Sequence, residues 1–206
     1  MSFTPATAEQ RFVLDHIAGI SELSEAATPD LVDAVLEGAG TFAAGEWAPL
    51  ERAGDTIGAK WTAEGVVMPD GFVAAYKAYV EGGWGTIGSP EAYGGQGLPI
   101  SLATAVIETL GTANIGFALA PMLTVGAIES LVHHGTVAQQ DAYLPKLATG
   151  EWTGTMNLTE PQAGSDVGAL RATATPRGDG TFSLKGTNIF IRFGDHDPAD
   201  NILHLA

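Results

Sequence analysis

The run Met156-Asn157-Leu158-Thr159-Glu160-Pro161-Gln162-Ala163-Gly164-Ser165-Asp166 combines residue types able to hold a cofactor. A strand ending in Thr-Glu-Pro sets one hydroxyl and several backbone N–H and C=O groups along an edge. Pro161 has no N–H to give to a ladder, so pairing stops there and the edge opens. Gly164 lets the backbone approach a ligand closely, and Ser165 supplies a hydroxyl beside it. Such an edge suits a planar ring with alternating donors and acceptors, followed by a phosphate. Turn statistics alone favour a plain strand and turn, so both readings stand at this point.

Other chemistry-bearing residues carry less. The glycines between Glu81 and Pro99 follow a helix, whereas a phosphate-cradling loop needs them after a strand and at a helix start. They read as an irregular loop between helices. His133-His134 falls where a helix ends and polar or positive side chains cap it. Asp195-His196-Asp197 has metal-ligand residue types, but adjacent residues rarely point at one ion, and no metal is assigned. Nothing places Ser165 near a histidine, so no Ser–His–Asp arrangement follows. Glu51 and Asp55 read as a solvated helix face. No catalytic residue is assigned.

The elements that must position these residues change character along the chain. Thr28 caps a helix with Pro29 at its first position, and Leu31, Val35, Gly38 and Phe42 keep helical spacing. Phe72, Tyr76, Tyr79 and Val80 form a second stripe ending at Gly82-Gly83. Further helices are predicted from about Pro99 to Gly111 and from near Pro121 to His134. A capping box at Thr136 to Gln139 starts another, which Pro145 shortens or bends. After Gly150 the period becomes that of strands: Trp152 to Thr159, Arg171 to Thr175, Phe182 to Lys185 and Asn188 to Arg192. Asn201 to Ala206 is a further strand, its partners expected beyond the end of the chain. Helices first and strands second indicate an α+β chain with a boundary near Gly150.

Bulk composition excludes several functions. Nine Lys and Arg against 24 Asp and Glu give a net charge of −15 over 206 residues, which repels phosphate backbones and excludes nucleic acid as a partner. The chain has no cysteine, which removes thiol catalysis, thiolate ligands and internal disulfides. Met1-Ser2-Phe3-Thr4-Pro5 lacks the basic and apolar regions of a signal peptide. The apolar run Ile115 to Ile128 is short for a bilayer span and carries Pro121. The expectation is a soluble cytoplasmic protein with no membrane span.

Taken together, the segments resemble the acyl-CoA dehydrogenase family from about Phe72 to the end. The resemblance rests on the order and spacing of five segments. These are Tyr76-Lys77-Ala78 through Gly83-Trp84, Pro90-Glu91-Ala92-Tyr93-Gly94-Gly95-Gln96-Gly97, Tyr143 to Glu151, Thr159-Glu160-Pro161 with Ala163-Gly164-Ser165-Asp166, and Leu184 to Ile191. Gly194-Asp195-His196-Asp197 and Asn201 to Leu205 look most like the longer-chain branch that includes the 3-methylmercaptopropionyl-CoA dehydrogenases.

The resemblance implies an N-terminal all-helical domain at 1–150 and an incomplete antiparallel β-barrel or sandwich domain starting at 151–206, with a C-terminal helical domain absent. It implies FAD bound between subunits. Met156 to Ser165 would line the flavin, Leu158 and Thr159 through backbone and hydroxyl. Gly164 and Ser165 would lie near the flavin phosphates, and Ser165 also near the acyl-CoA substrate. Phe190 takes the place of an aromatic residue, commonly tryptophan, that packs on the flavin, with Ile191 and Arg192 following it along the site.

Two positions depart from the family pattern. Asn188 stands where a lysine is usual, and Arg192 where a threonine offers its hydroxyl to flavin N5. A guanidinium there blocks the ring by bulk or shifts the flavin potential, unless the side chain turns outward. In the family a glutamate of the C-terminal domain removes the substrate α-proton while the β-hydrogen leaves as hydride to flavin N5, and no residue here corresponds to it. The resemblance thus implies the N-terminal part of an FAD-dependent enzyme oxidising acyl-CoA to trans-2-enoyl-CoA. Its electrons would pass to an electron-transferring flavoprotein, and the protein would be a homo-oligomer or heteromer. This chain alone would be inactive. The alternatives are a degenerate, non-catalytic partner subunit and a truncated fragment without flavin.

Overall fold

Thr28 accepts a hydrogen bond from the Leu31 N–H, Pro29 takes the first helical position, and helix α3 (Pro29–Phe42) starts as its sequence dictates. The computed structural model describes residues 3–206; Met1 and Ser2, part of the stretch read as lacking a leader, lie outside them. Helices α1 (Thr7–His16) and α2 (Ile20–Leu23) precede α3. A π-helical turn at Ala43–Trp47 and a 3-10 turn at Ala48–Leu50 then lead into α4 (Glu51–Thr56). Next comes a small antiparallel hairpin of β1 (Lys60–Thr62) and β2 (Gly65–Val67), in a region read from sequence as helical throughout.

Four longer helices complete this half. They are α5 (Phe72–Glu81), α6 (Ile100–Ala113), α7 (Ile115–His134) and α8 (Val137–Ala148). The capping box of Thr136 and Gln139 forms, and α8 runs three residues past Pro145. Helix α7 starts earlier than the sequence reading placed it. Asn114 caps it by accepting the Phe117 N–H at 3.1 Å, and Pro121 lies inside the helix. At 20 residues α7 is long and apolar enough to cross a membrane by length and composition, which corrects the reading of a run too short to span. In this fold it is an inner helix: it packs on α6 and β3 (defined below), burying Phe117, Ala118, Thr124, Ala127 and Ile128.

Aromatic packing centres the helical core. Trp47, wholly buried, stacks on Phe117 with ring centroids 4.4 Å apart, and Phe72 meets Phe117 at 4.7 Å. Leu36, Leu102, Val106 and Leu110 fill the space between α3 and α6.

Strands follow α8: β3 (Trp152–Met156), β4 (Thr173–Pro176), β5 (Phe182–Lys185) and β6 (Asn201–Leu205). The architecture is α+β, with strands confined to the end apart from the β1–β2 hairpin. Two details differ from the sequence reading. Strand β6 finds its partner within the chain, pairing in parallel with β3, where partners beyond the end and antiparallel pairing were expected. The strand expected over Asn188 to Arg192 does not form. Phe190 and Phe193 adopt φ of 58° and 50°, and residues in that left-handed region break an extended run. Strands β4 and β5 do pair antiparallel, joined through Gly178 and Gly180 at positive φ.

Candidate functional site

Strand β3 is fixed residue by residue, which gives its open end a defined position. The Gly154 N–H donates to Thr124 Oγ1 of α7 at 3.0 Å, and that hydroxyl donates to the Ala120 carbonyl at 2.9 Å. A Cβ on Gly154 would overlap the Ala127 side chain, so only glycine lets α7 and β3 approach this closely. Thr153 Oγ1 lies 2.9 Å from His196 Nε2, and Thr155 Oγ1 lies 2.7 Å from His204 Nδ1. Beyond β3, the Asn157 N–H still donates to the Leu205 carbonyl at 2.6 Å.

From Leu158 on, the chain pairs by a different route. Asn188 Nδ2 donates to the Leu158 carbonyl at 3.3 Å, and the Ile189 N–H donates to the Thr159 carbonyl at 2.8 Å. Glu160 and Ala163 exchange two backbone hydrogen bonds, at 2.9 and 3.0 Å, and so fold the chain back through Pro161 and Gln162. The buried Glu160 carboxylate locks this turn, accepting from the Arg171 N–H at 2.9 Å, the Ala172 N–H at 2.8 Å and Gln162 Nε2. The Arg171 amide, with the Gln162 amide after it, holds the Glu160 carboxyl below the usual carboxylate range.

Other backbone donors of this turn stay unpaired. Among the described residues, the N–H groups of Leu158, Thr159, Gly164 and Ser165 have no acceptor. The space above Gly164 is open: an added Cβ would meet nothing nearer than Thr159 Cγ2, at 3.6 Å. Beside the edge lies an apolar cleft of about 310 Å³, its walls including Met122, Leu123, Gly126, Met156, Leu158 and Leu205. Unspent donors with an apolar cleft at Leu158 suit a flat, acceptor-rich ring.

Most of the site residues read from sequence fall along this edge. Met156 ends β3 in the cleft wall, Leu158 and Thr159 carry unpaired donors, and Gly164 adjoins Thr159. Ser165 is exposed just ahead of the short turn Val167–Ala169, which Asp166 caps through the Gly168 N–H. Asn188 and Ile189 come alongside as described. Phe190 and Arg192 lie on the next loop, both exposed, and Arg192 Nη1 donates back to the Phe190 carbonyl at 3.3 Å. Ile191 is half-buried, packed beside Gly194. Among the described residues, none of these three hydrogen-bonds to the 156–159 edge.

Sequence reasoning missed Glu160, Thr124 and His196, each of which holds the site from behind. Their partners lie 11 and 12 residues away for the amides on Glu160, 30 for Thr124 and 43 for His196, and only the buried polar types gave a signal. His133 lies in the last turn of α7, where a cap was expected, but its Nε2 is 3.4 Å from Glu129 Oε2. The carbonyls of Leu131, Val132 and Gly135 accept instead from Gln140 Nε2.

The chain is similar to known proteins over most of its length. The family described as "Acyl-CoA dehydrogenase, N-terminal domain" matches residues 32–151. The 3-methylmercaptopropionyl-CoA dehydrogenase of Ruegeria pomeroyi is 41% identical across the whole of this chain, which spans 36% of that relative's length. A solved structure described as an electron transferring flavoprotein of Acidaminococcus fermentans superposes with a TM-score of 0.67 at 30% identity, over 80% of this chain and 40% of that one. An acyl-CoA dehydrogenase complexed with FAD from Bacillus anthracis superposes with a TM-score of 0.65 at 28% identity, over 78% of this chain and 26% of that one. The chain belongs to the acyl-CoA dehydrogenase family, and residues 32–151 carry its N-terminal domain.

Proposed function

We propose that the edge from Met156 to Ser165 holds FAD, and that the chain is the part of an acyl-CoA dehydrogenase that positions the flavin against an acyl-CoA. The observation that carries this reading is the set of unspent N–H donors at Leu158, Thr159, Gly164 and Ser165, of which Leu158 also lines the apolar cleft. Leu158 and Thr159 offer donors to the acceptor edge of the ring. Gly164 and Ser165 offer theirs to phosphate oxygens across a surface with no Cβ in the way, and Ser165 also serves the acyl-CoA. Met156, Leu158 and Leu205 exclude water from the ring face, which strengthens every polar contact there. Phe190 and Ile191 close the far side from their loop, while Arg192, tied to the Phe190 carbonyl, leaves the ring free.

When bound, the flavin supplies a hydride acceptor. The reaction in this reading is oxidation of an acyl-CoA to its trans-2-enoyl-CoA, with electrons passed on to an electron-transferring flavoprotein. The same reading includes a domain division at residues 1–150 and 151–206, a cytoplasmic setting and an oligomeric assembly. It assigns no residue of this chain the role of base, because the carboxylate at the edge, Glu160, is fully engaged with amides. The chain on its own is therefore expected to bind flavin without turning over acyl-CoA.

The test is an FAD titration of the purified chain, read by quenching of flavin fluorescence, in parallel with Gly164→Val. Saturable binding that Gly164→Val weakens about tenfold or more supports the reading, a cost of about 1.4 kcal/mol. Absence of binding, or equal affinity in the variant, removes it. Turnover of an acyl-CoA with an artificial electron acceptor would overturn the statement about the base.

A further inference from the structure

The segment Asp195-His196-Asp197 belongs neither to the helical core nor to the cofactor edge. His196 is only 7% exposed, although it lies on a loop. Its Nε2 meets Thr153 Oγ1 of β3 at 2.9 Å, and its ring stands edge-on to Phe193, 5.7 Å away at 69°. Its Nδ1 is buried with no partner among the described residues. The flanking aspartates reach a different element. Asp195 Oδ2 accepts the Val66 N–H at 3.1 Å, and Asp197 Oδ1 accepts the Met68 N–H at 3.0 Å.

Asp195 and Asp197, two residues apart, thus turn to the hairpin, while His196 between them turns to β3. Val66 and Met68 have the same spacing, at and just after β2, whose other edge is occupied by β1. The two carboxylates thus satisfy N–H groups of the free hairpin edge, in place of a third strand. One oxygen of each carboxylate is taken by an amide of the hairpin.

We propose that Asp195-His196-Asp197 is a clasp joining the β1–β2 hairpin to β3, with His196 as the positioning residue that registers the cofactor edge through Thr153. The role given to that edge rests on the flavin reading above; the clasp itself rests on these contacts. Neutral His196 donates Nε2–H to Thr153 Oγ1, a tautomer assigned because it leaves a bare nitrogen at Nδ1 instead of an orphaned N–H. A second proton at Nδ1 would bury a charge and a donor without an acceptor.

The charged groups acting on the ring are Asp197 and Asp195, while β3 offers the uncharged Thr153 and the loop the uncharged Phe193. Burial pushes the His196 ring below its ordinary value and outweighs the pull of the two aspartates in the opposite direction. Because the folded value is depressed, the clasp is at full strength above the ordinary histidine value of 6.5 and weakens as pH falls below it.

The test is amide hydrogen exchange of the whole chain at about pH 7.5 and pH 5.5, on either side of the histidine range. His196→Ala is expected to speed exchange about tenfold at Val66, Met68 and Thr155 together, since a clasp links both sides. His196→Gln keeps a donor at the Nε2 position but cannot titrate. It should match the native chain at the higher pH and lose the extra exchange that the native chain shows at the lower one. Faster exchange at β3 alone, with Val66 and Met68 unchanged, would show a local cap and overturn the clasp. A His196→Gln variant that follows the native chain at both pH values would overturn protonation as its release. If His196→Ala fails to fold, Asp195→Ala/Asp197→Ala decides: exchange must rise at Thr155 as well as at the hairpin. FAD titration of the same proteins keeps the two readings apart, because a chain that binds no flavin still shows or lacks the coupled exchange.

Discussion

Glu160 governs the cofactor edge without facing it. Its carboxylate gathers three amide donors into one turn and takes none of the unpaired N–H groups of Leu158, Thr159, Gly164 and Ser165. Since the folded carboxyl titrates below its ordinary value of 4.5, its stabilisation is complete above that pH and is lost as pH falls below it. Glu160→Gln keeps one acceptor and no charge. The difference in urea midpoint between native chain and variant is expected to be largest near neutral pH and to shrink below about pH 4.5. A difference independent of pH would mean that the charge adds nothing. Arg192 poses the opposite question, since its bulk argued for excluding flavin unless the side chain turned outward. Its guanidinium is exposed and tied to the Phe190 carbonyl, and among the described residues it makes no hydrogen bond to the 156–159 edge. Arg192→Thr is therefore expected to change FAD affinity by less than about threefold, below 1 kcal/mol. A larger gain in the flavin titration would return the side chain to the ring.

At the scale of elements, the contact of α7 with β3 decides where the edge lies. Gly154→Ala places a methyl group against Ala127 and is expected to cost about 1–3 kcal/mol by overpacking, read as a lower urea midpoint. An unchanged midpoint would mean that α7 yields at no cost. Elements were legible in the sequence where their determinants are local. Thr28 with Pro29 and Thr136 with Gln139 act within three residues, and both helix starts were readable. The start of α7 was not, because Pro121 is the louder signal and the Asn114 cap lies about two turns earlier. Pairing of β3 with β6 joins Thr155 to His204 across 49 residues, a distance at which periodicity is silent. Three-residue strands such as β1 and β2 are too short to show alternation at all. The site divides in the same way. Pro161 and Gly164 announced an open edge by their own chemistry, whereas Glu160, Thr124 and His196 act through partners that only folding brings near.

For the whole molecule, two opposed forces act between copies. A net charge of −15 repels at long range, while exposed apolar side chains attract on contact. Phe182 and Leu184, at 56% and 67% exposure, share one face of β5 by their spacing of two, with Pro176 and Ala174 as their cross-strand partners. Phe190, 77% exposed, adds a third large apolar surface on the loop that follows. Screening shortens the repulsion to about 8 Å at physiological salt and about 3 Å at 1 M, leaving contact attraction untouched. Light scattering of the chain is therefore expected to show mass rising with protein concentration, and rising further as salt is added. Phe182→Ser/Leu184→Lys removes the paired apolar face and adds a cation, and it should hold the chain monomeric through the same salt series. If charge alone governed association, the variant would associate at least as readily as the native chain, because it is less acidic. A native chain that stays monomeric at every concentration and salt would show that these side chains are too dispersed to act as a surface.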